Sequence, residues 1–423
     1  MRLLLVSDHY PPAIGGAERQ TRLLAHLFAA RGYEVAVAVP WYRGAPRSYD
    51  DEGVTVYRVR QLRTVFPALV RDNSTRHAPP FPDPVTVRDL KKLIRQFKPD
   101  IVHSHGWITY SCVVALLRNK IPLLVTARDY GYFCANRTLL HDGIPCSGPG
   151  LTKCLGCAGR YYGIPKGWIA TVGVFANRPL LRRTITGLHS PSSYMSSTMR
   201  QHFLGEGGAG GTQGSSEVLE FVIPSFLHES PEPVPDGIVS AYLEALPSEP
   251  FILFVGQFRR TKGIDQLIDA YGRIDSPPPL VLIGHYAWDG PSKFPPNVRA
   301  LTEYPHEAVM AAWDRALFGV MPSLWPEPFG SVVHEGMSRG KPIIGTNHGG
   351  HTDMIIDGET GYLVPPGDVD ALAAAMTDLI RHPNRCAQFG RAAAKRATLF
   401  SAGVVIPQFA DAYETIRRRG IGD

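Results

Sequence analysis

Two glutamates in the second half of the chain are spaced for holding a ligand. Glu327 lies in a loop that contains proline and glycine, and Glu335 follows it with seven residues between them. The residues after Glu335 indicate a short helix that ends near Gly340, followed directly by an apolar strand, 342–344. A loop, the N–H groups at a helix start and two carboxylates can together hold a charged ligand and hydroxyl groups. A surface loop followed by an ordinary helix is the alternative interpretation.

Two other segments place glycine or lysine directly after an apolar strand. Gly15 and Gly16 follow the first strand and precede a helical pattern, a position where glycines let the backbone approach a phosphate or a sugar. Lys262 precedes Gly263 in the loop after the apolar strand 251–255. A simple turn and a solvated loop, respectively, are the alternatives when each segment is taken alone.

The stretch from Pro322 to Asp368 resembles the donor-sugar site of family 4 retaining glycosyltransferases. The resemblance covers nearly the whole chain and is strongest over 1–40 and 251–380. It implies an α/β protein of the GT-B fold, in which two facing Rossmann-like domains with parallel sheets close over a cleft. The second domain would hold most of the nucleotide sugar.

The resemblance also implies roles for individual residues. Glu327 would contact the hydroxyls of the sugar and Glu335 the ribose, while Lys262 would grip the diphosphate. A fixed cation there stabilises the charge that develops on the leaving group. The loop with Gly15 and Gly16 would close on the diphosphate. The backbone N–H groups expected to meet the phosphates are those of Phe329, Gly330 and Ser331.

The chain departs from the family pattern at two places. Where relatives carry an arginine that binds the diphosphate, this chain has Gln257, and Arg259 or Arg260 is expected to supply the missing charge. Where relatives carry His-Asp beside the sugar, the chain has Arg128 followed by Asp129. Because arginine neither accepts hydrogen bonds nor titrates near neutral pH, Arg128 is expected to bind a phosphate or carboxylate instead.

The implied reaction is transfer of a sugar from a nucleoside-diphosphate sugar, with UDP the expected nucleotide, to an acceptor hydroxyl. No second carboxylate is evidently placed as a nucleophile, so retention would proceed by front-face attack without a catalytic metal, since Lys262 and helix dipoles take its place. Lys262, Glu327, Asp129 and Arg128 are the expected catalytic residues. The acceptor is left open among a glycan, a lipid-linked molecule and a small natural product. A sugar-nucleotide epimerase of related architecture and a non-catalytic binding protein are the alternatives.

Four of the six cysteines fall within 24 residues, and the last two have the C-x2-C spacing of a metal knuckle. Four thiolates would complete a tetrahedral structural zinc site, and the segment resembles a four-cysteine subgroup of the same glycosyltransferases. Reduced thiols without metal, an iron–sulfur cluster or disulfides are the alternatives, although disulfides are disfavoured in a cytosolic chain. The four residues are Cys134, Cys146, Cys154 and Cys157.

Composition limits the remaining functions. A content of 44% hydrophobic and 19% charged residues is normal for a globular enzyme, and no apolar run is long enough to span a membrane. A cytoplasmic protein is therefore expected. The net charge of +6 favours phosphate-bearing ligands or peripheral contact with an anionic membrane, but it is too weak to indicate nucleic acid. Residues 168–183 are apolar with a basic end; a packed amphipathic helix is favoured there over membrane contact.

The order of predicted elements divides the chain into two domains, as its length of 423 residues suggests. Alternating strands and helices predict a parallel sheet in 1–190 and a second in 251–400. Residues 191–250 are expected to connect them through a Gly-rich loop at 205–216 and a Pro-rich linker at 225–250. A final helix, about 405–423, is expected to return to the first domain. His103 and His105 alternate at the end of a strand and should share one face, in a hydrogen-bond network rather than a metal site.

Overall fold

The computed structural model describes residues 1–11, 16–65, 78–205, 218–227 and 236–422. Gly15 and nearly all of the expected Gly-rich loop lie outside these residues. The strands of the described part are β1 (Arg2–Ser7), β2 (Glu34–Pro40), β3 (Ser48–Asp51), β4 (Val54–Val59), β5 (Ile101–His105), β6 (Leu123–Thr126), β7 (Leu140–His141), β8 (Ile144–Pro145), β9 (Gly187–Ser190), β10 (Leu219–Val222), β11 (Phe251–Val255), β12 (Leu280–Gly284), β13 (Val298–Thr302), β14 (Ala316–Met321), β15 (Ile343–Thr346) and β16 (Gly361–Val364).

The α-helices of the described part are α1 (Gly16–Ala30), α2 (Leu62–Val65), α3 (Pro84–Phe97), α4 (Ile108–Leu116), α5 (Leu151–Tyr162), α6 (Ile164–Thr184), α7 (Ser193–Met199), α8 (Asp236–Glu244), α9 (Ile264–Tyr271), α10 (His306–Arg315), α11 (Ser331–Ser338), α12 (His351–Met354), α13 (Val369–Arg381), α14 (Pro383–Ala397) and α15 (Ala402–Gly422). A π-helical turn continues α7 over Arg200–Leu204. The 3-10 turns are Arg260–Lys262 and Thr398–Phe400.

The chain forms two compact units. The first contains Met1–Asp142, Cys146–Ile223 and Ile406–Asp423, and the second contains Gly143–Pro145 and Pro224–Val405. Each unit is built around a parallel sheet flanked by helices, so the predicted α/β class with two Rossmann-like parallel sheets is confirmed.

The sheet of the first unit has the order β10-β9-β6-β5-β1-β2-β4-β3 and is parallel except for the pairing of β3 with β4. Residues 3–6 of β1 are fully buried, as expected of a strand covered on both faces. Strand order reverses at β1 and β5. At that point the Asp8 carboxylate accepts hydrogen bonds from the backbone N–H groups of Trp107 (2.6 Å) and Ile108 (3.1 Å), which fixes the loop after β1 on the start of α4.

The sheet of the second unit is entirely parallel, with the order β13-β12-β11-β14-β15-β16. This is the doubly-wound order in which the direction of winding changes between β11 and β14. The helices that follow these two strands therefore lie on opposite faces of the sheet, which leaves a crevice at its carboxyl edge. Lys262 lies in the loop after β11 and Glu327 in the loop after β14.

Two predicted boundaries differ from the bounds of the compact units. The first unit extends beyond residue 190 to Ile223, because β10 pairs in parallel with β9 and completes the sheet. The expected linker 225–250 contains α8, and the second unit begins at Pro224. The backbone carbonyls of Tyr242 and Leu243 accept hydrogen bonds from side chains of the second unit, so the end of α8 is packed on that unit.

The last helix, α15, passes from one unit to the other. Residues 402–405 group with the second unit and 406–423 with the first, where the helix was expected to pack. Its Tyr413 hydroxyl lies 2.7 Å from Nδ1 of the buried His103 on β5.

Candidate active site

Lys262 is positioned by a tight contact between the two loops of the second crevice. A single 3-10 turn carries it, and Gly263 ends the turn with a φ of +73°. A Cβ atom at Gly263 would lie 1.9 Å from the carbonyl oxygen of Pro322, so only glycine permits this approach. The Leu324 N–H donates to the carbonyl of Thr261 at 2.9 Å. The loop after β11 is thereby attached to the loop after β14.

Glu327, which is buried, forms an ion pair with the half-buried Lys262. Nζ of Lys262 donates to Oε1 of Glu327 at 2.5 Å, and the Ser323 hydroxyl donates to the same oxygen at 2.7 Å. Glu327 is only 8% exposed. Burial raises the pKa of its carboxyl, but the charge of Lys262 and these hydrogen bonds outweigh burial and hold that pKa below its usual range. Glu327 is therefore ionised at neutral pH, and each member of the pair fixes the other.

A glycine turn after β15 supports the Glu327 loop from behind. The Gly350 N–H donates to the carbonyl of Glu327 at 2.7 Å. A Cβ atom on Gly349, which has a φ of +66°, would lie 2.6 Å from backbone atoms of Glu327. His351 follows in this turn, and burial lowers its pKa to about 4. The Gly-Gly pair thus packs backbone against backbone and leaves a neutral imidazole beneath the ion pair.

The N-terminus of α11 lies directly after this loop. Gly330 precedes it with a φ of +96°, and no side chain caps the helix. The N–H of Val333 already bonds the Gly330 carbonyl, whereas Gly330, Ser331 and Val332 are partly exposed. Phe329 is buried, and its ring packs against Phe400 with centroids 5.7 Å apart. An uncapped helix start facing a crevice is suited to bind a phosphate.

Glu335 lies on α11 and has a partner that the sequence did not reveal. Its Oε1 is 3.0 Å from Nε2 of His306, the first residue of α10, and Glu335 is only 5% exposed. A carboxylate held by an imidazole keeps one oxygen in a fixed orientation. His306 precedes Glu335 by 29 positions on a different helix, so no local pattern could have linked the two.

Gln257 stands where relatives carry an arginine, and the nearby Arg259 is already engaged in an ion pair. Gln257 is exposed, while Arg259 makes a two-pronged ion pair with Asp289, with Nε 3.0 Å from Oδ1 and Nη2 3.1 Å from Oδ2. This pairing weighs against Arg259 as the replacement. Arg260 has a side chain that is 76% exposed and lies 3.5 Å from Asp265, so it can move toward a ligand at small cost.

In the first unit, Arg128 and Asp129 make hydrogen bonds to different residues. Nε of Arg128 donates to Nδ1 of His105 at 3.0 Å, and burial lowers the pKa of Arg128 to about 10, which leaves it charged at neutral pH. The carboxylate of Asp129 accepts hydrogen bonds from Arg137 and, at 2.7 Å, from the Gly131 N–H. Asp129 therefore has a structural partner, which the sequence-based role did not include. Gly16 begins α1 and is exposed.

The buried histidines form the hydrogen-bond network that their alternation predicted. His103 and His105 share one face, with ring centroids 4.2 Å apart. His189, which the sequence analysis missed, donates from Nε2 to the carbonyl of Ile223 at 2.7 Å, so its Nδ1 must accept from the Thr126 hydroxyl at 2.8 Å. The Thr126 oxygen then accepts from Nε2 of His103 at 2.6 Å. A neutral chain of directed hydrogen bonds through His103 and His189 results.

Two of the four clustered cysteines contact the side-chain amide of Asn136. Cys134 donates to Oδ1 of Asn136 at 2.9 Å, and Nδ2 of Asn136 donates to Sγ of Cys157 at 3.2 Å. Cys154 lies one turn before Cys157 on α5, and Cys146 lies before this helix. In the described part of the chain, no group of three or more His, Cys, Asp or Glu side chains is arranged to hold a metal ion. The predicted zinc thus remains a prediction.

Two family models match the chain. The one described as "Glycosyl transferase 4-like domain" matches residues 15–207, and the one described as "Glycosyl transferases group 1" matches residues 243–396. The chain is 28% identical to glycogen synthase of Mycobacterium tuberculosis over 425 residues, which cover 94% of the chain and 90% of that protein. It is 37% identical to a D-rhamnosyltransferase of Pseudomonas aeruginosa over 160 residues, or 36% of the chain and 42% of that protein.

Solved structures share the fold over nearly the full length. Sucrose-phosphate synthase from Thermosynechococcus elongatus superposes with a TM-score of 0.71 at 20% identity, covering 98% of both chains. The Anabaena protein HepE, solved in complex with UDP and glucose, superposes with a TM-score of 0.65 at 17% identity, covering 98% of this chain and 100% of that one.

Proposed function

Because the chain belongs to the glycosyltransferases of the GT-B fold, we propose that it is a retaining enzyme that moves a sugar from a nucleoside-diphosphate sugar to an acceptor hydroxyl. One observation carries the proposal: the Lys262–Glu327 pair lies at the switch point of the second sheet, in loops adjoining the uncapped start of α11. Sheets of this order bind ligands in the crevice at that point.

The groups of the crevice divide into two kinds. Lys262 and the N–H groups at Gly330 and Ser331 offer positive charge, which suits a diphosphate. Glu327 and Glu335 offer ionic acceptors, which suit sugar and ribose hydroxyls. When the ligand binds, the Lys262 ammonium would donate a hydrogen bond to the diphosphate as well as to Glu327. The Glu327 carboxylate would then accept a hydrogen bond from a sugar hydroxyl.

The chemical step follows from this arrangement. The bond between the anomeric carbon and the β-phosphate oxygen breaks, and the acceptor oxygen bonds to the same face of that carbon. The acceptor proton passes to the departing phosphate oxygen, so the leaving group serves as the base. Lys262 stabilises the charge on that oxygen as it develops, in a site whose groups are already fixed, and we propose that no added divalent metal is required.

UDP is the first nucleotide to test, because the related Anabaena fold binds UDP and UDP-glucose. The acceptor is a hydroxyl of a glycan, a lipid-linked molecule or a small natural product. Incubation with UDP-, ADP- and GDP-sugars, without acceptor, should release one nucleoside diphosphate by slow hydrolysis. Lack of release and of calorimetric binding with every donor would contradict the proposal.

Replacement of Glu335 should weaken donor binding. We expect Glu335→Ala to lower nucleotide-sugar affinity by about 1.5–3 kcal/mol, since a charge-assisted hydrogen bond is lost. Titration calorimetry with the nucleotide sugar and with the sugar phosphate alone measures this. Only the nucleotide sugar should lose affinity, because Glu335 is assigned to the ribose. Glu307→Ala, on the adjacent helix α10, serves as the control, and equal affinities of the wild type and Glu335→Ala would refute the assignment.

We also propose that Arg128 binds an anionic group of the donor or the acceptor. Its position on His105 holds the guanidinium in place, and its pKa of about 10 keeps the charge at neutral pH. Asp129 then acts through Arg137 and the turn at Gly131, as a positioning residue for the Arg128 loop. This assignment changes the role first expected for Asp129.

A structural zinc site at Cys134, Cys146, Cys154 and Cys157 is a separate proposal. Thiolates are ligands that zinc prefers, and zinc would brace the loop before α5 without taking part in the chemistry. Its binding would require the sulfurs to draw together and to leave Asn136, which now contacts two of them. This is a demanding rearrangement, so zinc content decides it.

Purified protein is expected to contain about one zinc per chain, and chelation should lower its thermal midpoint. Cys154→Ser should lose the metal, whereas the control Cys386→Ser, outside the cluster, should keep it. Elemental analysis and melting curves measure both effects. Absence of zinc, together with an unchanged melting curve for Cys154→Ser, would rule the site out in favour of reduced thiols.

The enzyme is proposed to work in the cytoplasm, because all six cysteines are free thiols in the structure. Among the described helices, none is both long and apolar enough to cross a bilayer.

A further inference from the structure

Helix α3 carries a stripe of positive charge on its exposed face. Arg88, Lys91, Lys92 and Arg95 recur at spacings of three and four, which places them on one side of the helix. All four are exposed and lie together along the helix surface. The opposite face of α3 is buried through apolar residues such as Leu90 and Leu93. Packing within the first unit therefore explains the apolar face of the helix but not its basic face.

The basic stripe costs stability and has no partner among the described residues. Like charges three or four positions apart on a helix repel each other. No described carboxylate lies within ion-pairing distance of these four side chains, and the acid of the same helix, Asp89, is buried and paired with Arg47 and Arg60. An uncompensated stripe of this kind indicates an anionic partner outside the chain.

Helix α6 carries an exposed apolar stripe. Trp168 is 52% exposed, Ile169 56% and Val172 55%, and their spacing places them on one side of the helix. The other side packs closely on α5, where a Cβ atom at Gly167 would lie 2.2 Å from the carbonyl of Ala158. The segment is thus a packed helix, as favoured from the sequence, but its outer face is apolar rather than polar.

Both stripes belong to the first unit, where the segment before α3 packs on α6. Asn177 of α6 donates to the carbonyl of Pro80 at 3.5 Å, and a Cβ atom at Gly173 would lie 3.4 Å from the ring of Phe81. Phe81 is itself 37% exposed and lies three residues before α3 begins. It therefore links the apolar stripe to the start of the basic helix.

We propose that these two stripes form a docking surface for a bilayer that contains anionic lipid. The docking surface consists of Phe81, Arg88, Lys91, Lys92 and Arg95 with Trp168, Ile169 and Val172. This inference goes beyond the proposed function, because it concerns where the enzyme works and not which bond it forms.

A bilayer fits this surface better than an acidic protein or polymer does. Lipid headgroups supply negative charge over a wide area, which matches a linear stripe of cations rather than a pocket. Exposed tryptophan and aliphatic side chains enter the boundary between headgroups and acyl chains, a layer that an acidic polymer does not have. Each stripe alone would bind weakly, and the two together provide the two signals that stable peripheral binding requires.

Vesicle flotation tests the proposal on the full chain. The wild type should bind vesicles of phosphatidylcholine with 30% phosphatidylglycerol at least about tenfold more strongly than vesicles of phosphatidylcholine alone, and binding should weaken as salt rises. The triple variant Arg88→Gln, Lys91→Gln, Arg95→Gln and the single variant Trp168→Ala should each lower binding to the anionic vesicles by about tenfold or more.

A matched triple variant controls for net charge. Arg381→Gln, Arg391→Gln and Lys395→Gln remove the same number of exposed charges from the second unit and should leave vesicle binding within about twofold of the wild type. Release of nucleoside diphosphate in solution should be unchanged in both triple variants, which separates this test from the test of the proposed function.

Three results would overturn the proposal. The first is equal binding to neutral and anionic vesicles, or equal loss in the two triple variants. The second is binding of an acidic polysaccharide without binding of vesicles, which would assign the basic stripe to a polymer. The third is a concentration-dependent dimer that Trp168→Ala dissociates, which would assign the apolar stripe to a second copy of the chain.

Discussion

Lys262→Ala is expected to lower kcat by about 10²–10³-fold, the range found when one preorganised donor to a developing negative charge is removed. The loss should appear mainly in kcat rather than in KM, because the charge on the leaving oxygen grows as the glycosidic bond breaks. Initial rates of nucleoside-diphosphate release measure both constants. Lys293→Ala, at an exposed position of the second unit, is the control and should stay within about twofold of the wild type.

The ion pair adds a second effect that distinguishes this site from a surface lysine. Without Lys262, the Glu327 carboxylate is buried and loses the charge that holds its pKa low, so that pKa should rise. An unpaired buried charge is also strongly destabilising. Lys262→Ala should therefore unfold at lower denaturant than the double variant Lys262→Ala, Glu327→Gln, in which the buried charge is absent.

The outcome that contradicts the assignment is specific. If Lys262→Ala retained wild-type kcat, Lys262 would not act on the leaving group. If the single and double variants were equally stable, the pair would not be coupled as its 2.5 Å contact implies.

The position of this pair could be predicted from the sequence because it depends on topology and on glycine. The βα alternation predicts a parallel sheet, and loops after its strands meet at one edge. Gly263 and Gly349 mark the two places where backbone approaches backbone, at distances that no other residue allows. The residue types at Lys262 and Glu327 then follow the resemblance to a known donor site.

The partners of the site residues could not be predicted, since they come from distant segments. His306 meets Glu335 only because α10 packs on α11, and Asp289 meets Arg259 across 30 positions. Arg137 captures Asp129 through a turn whose shape no periodicity encodes. Each of these contacts changes what the sequence-based role could be, most of all for Arg259 and Asp129.

The presence of a helix in the predicted linker 225–250 has a compositional explanation. Pro, Glu and Ser are typical of exposed connections, and they surround the short helix α8. The helix is held by tertiary contacts instead of a strong pattern of its own: Leu246 after it is 4% exposed, and the Tyr242 ring lies 4.9 Å from that of Tyr304. Propensity gives way to packing in such a segment.

The protein is expected to unfold in mild acid, and histidine burial gives the reason. Burial lowers the pKa values of His189 in the first unit and of His334 and His351 in the second to about 4, against about 6.5 for an exposed histidine. Between pH 6.5 and 4 the unfolded chain binds these protons and the folded chain does not. The contribution of these histidines to the free energy of unfolding is therefore complete above pH 6.5. Below that pH the free energy of unfolding falls by about 1.4 kcal/mol per pH unit for each histidine.

The loss is large on the scale of protein stability. From neutral pH to pH 5, each of these histidines removes about 2 kcal/mol, and burial also holds the pKa values of His103 and His105 well below the usual range. Since the free energy of unfolding of a protein is typically about 5–15 kcal/mol, several losses of this size are enough to unfold it. Both units should thus open well above the pH at which carboxylates such as Glu327 become protonated.

Urea unfolding at pH values from 5 to 8 measures this dependence. His189→Gln should be less stable than the wild type at pH 8, because it loses two buried hydrogen bonds, yet its stability should fall less steeply toward pH 5 since one shifted histidine is gone. His382→Gln is the control, as that side chain is 54% exposed, and it should keep the wild-type slope. A wild-type free energy of unfolding that stayed level from pH 8 to 5 would contradict this prediction. It would mean that these histidines bind protons equally in the folded and the unfolded chain. The difference in slope between the wild type and His189→Gln therefore reports how the hydrogen-bond chain from Tyr413 to Ile223 depends on a neutral His189.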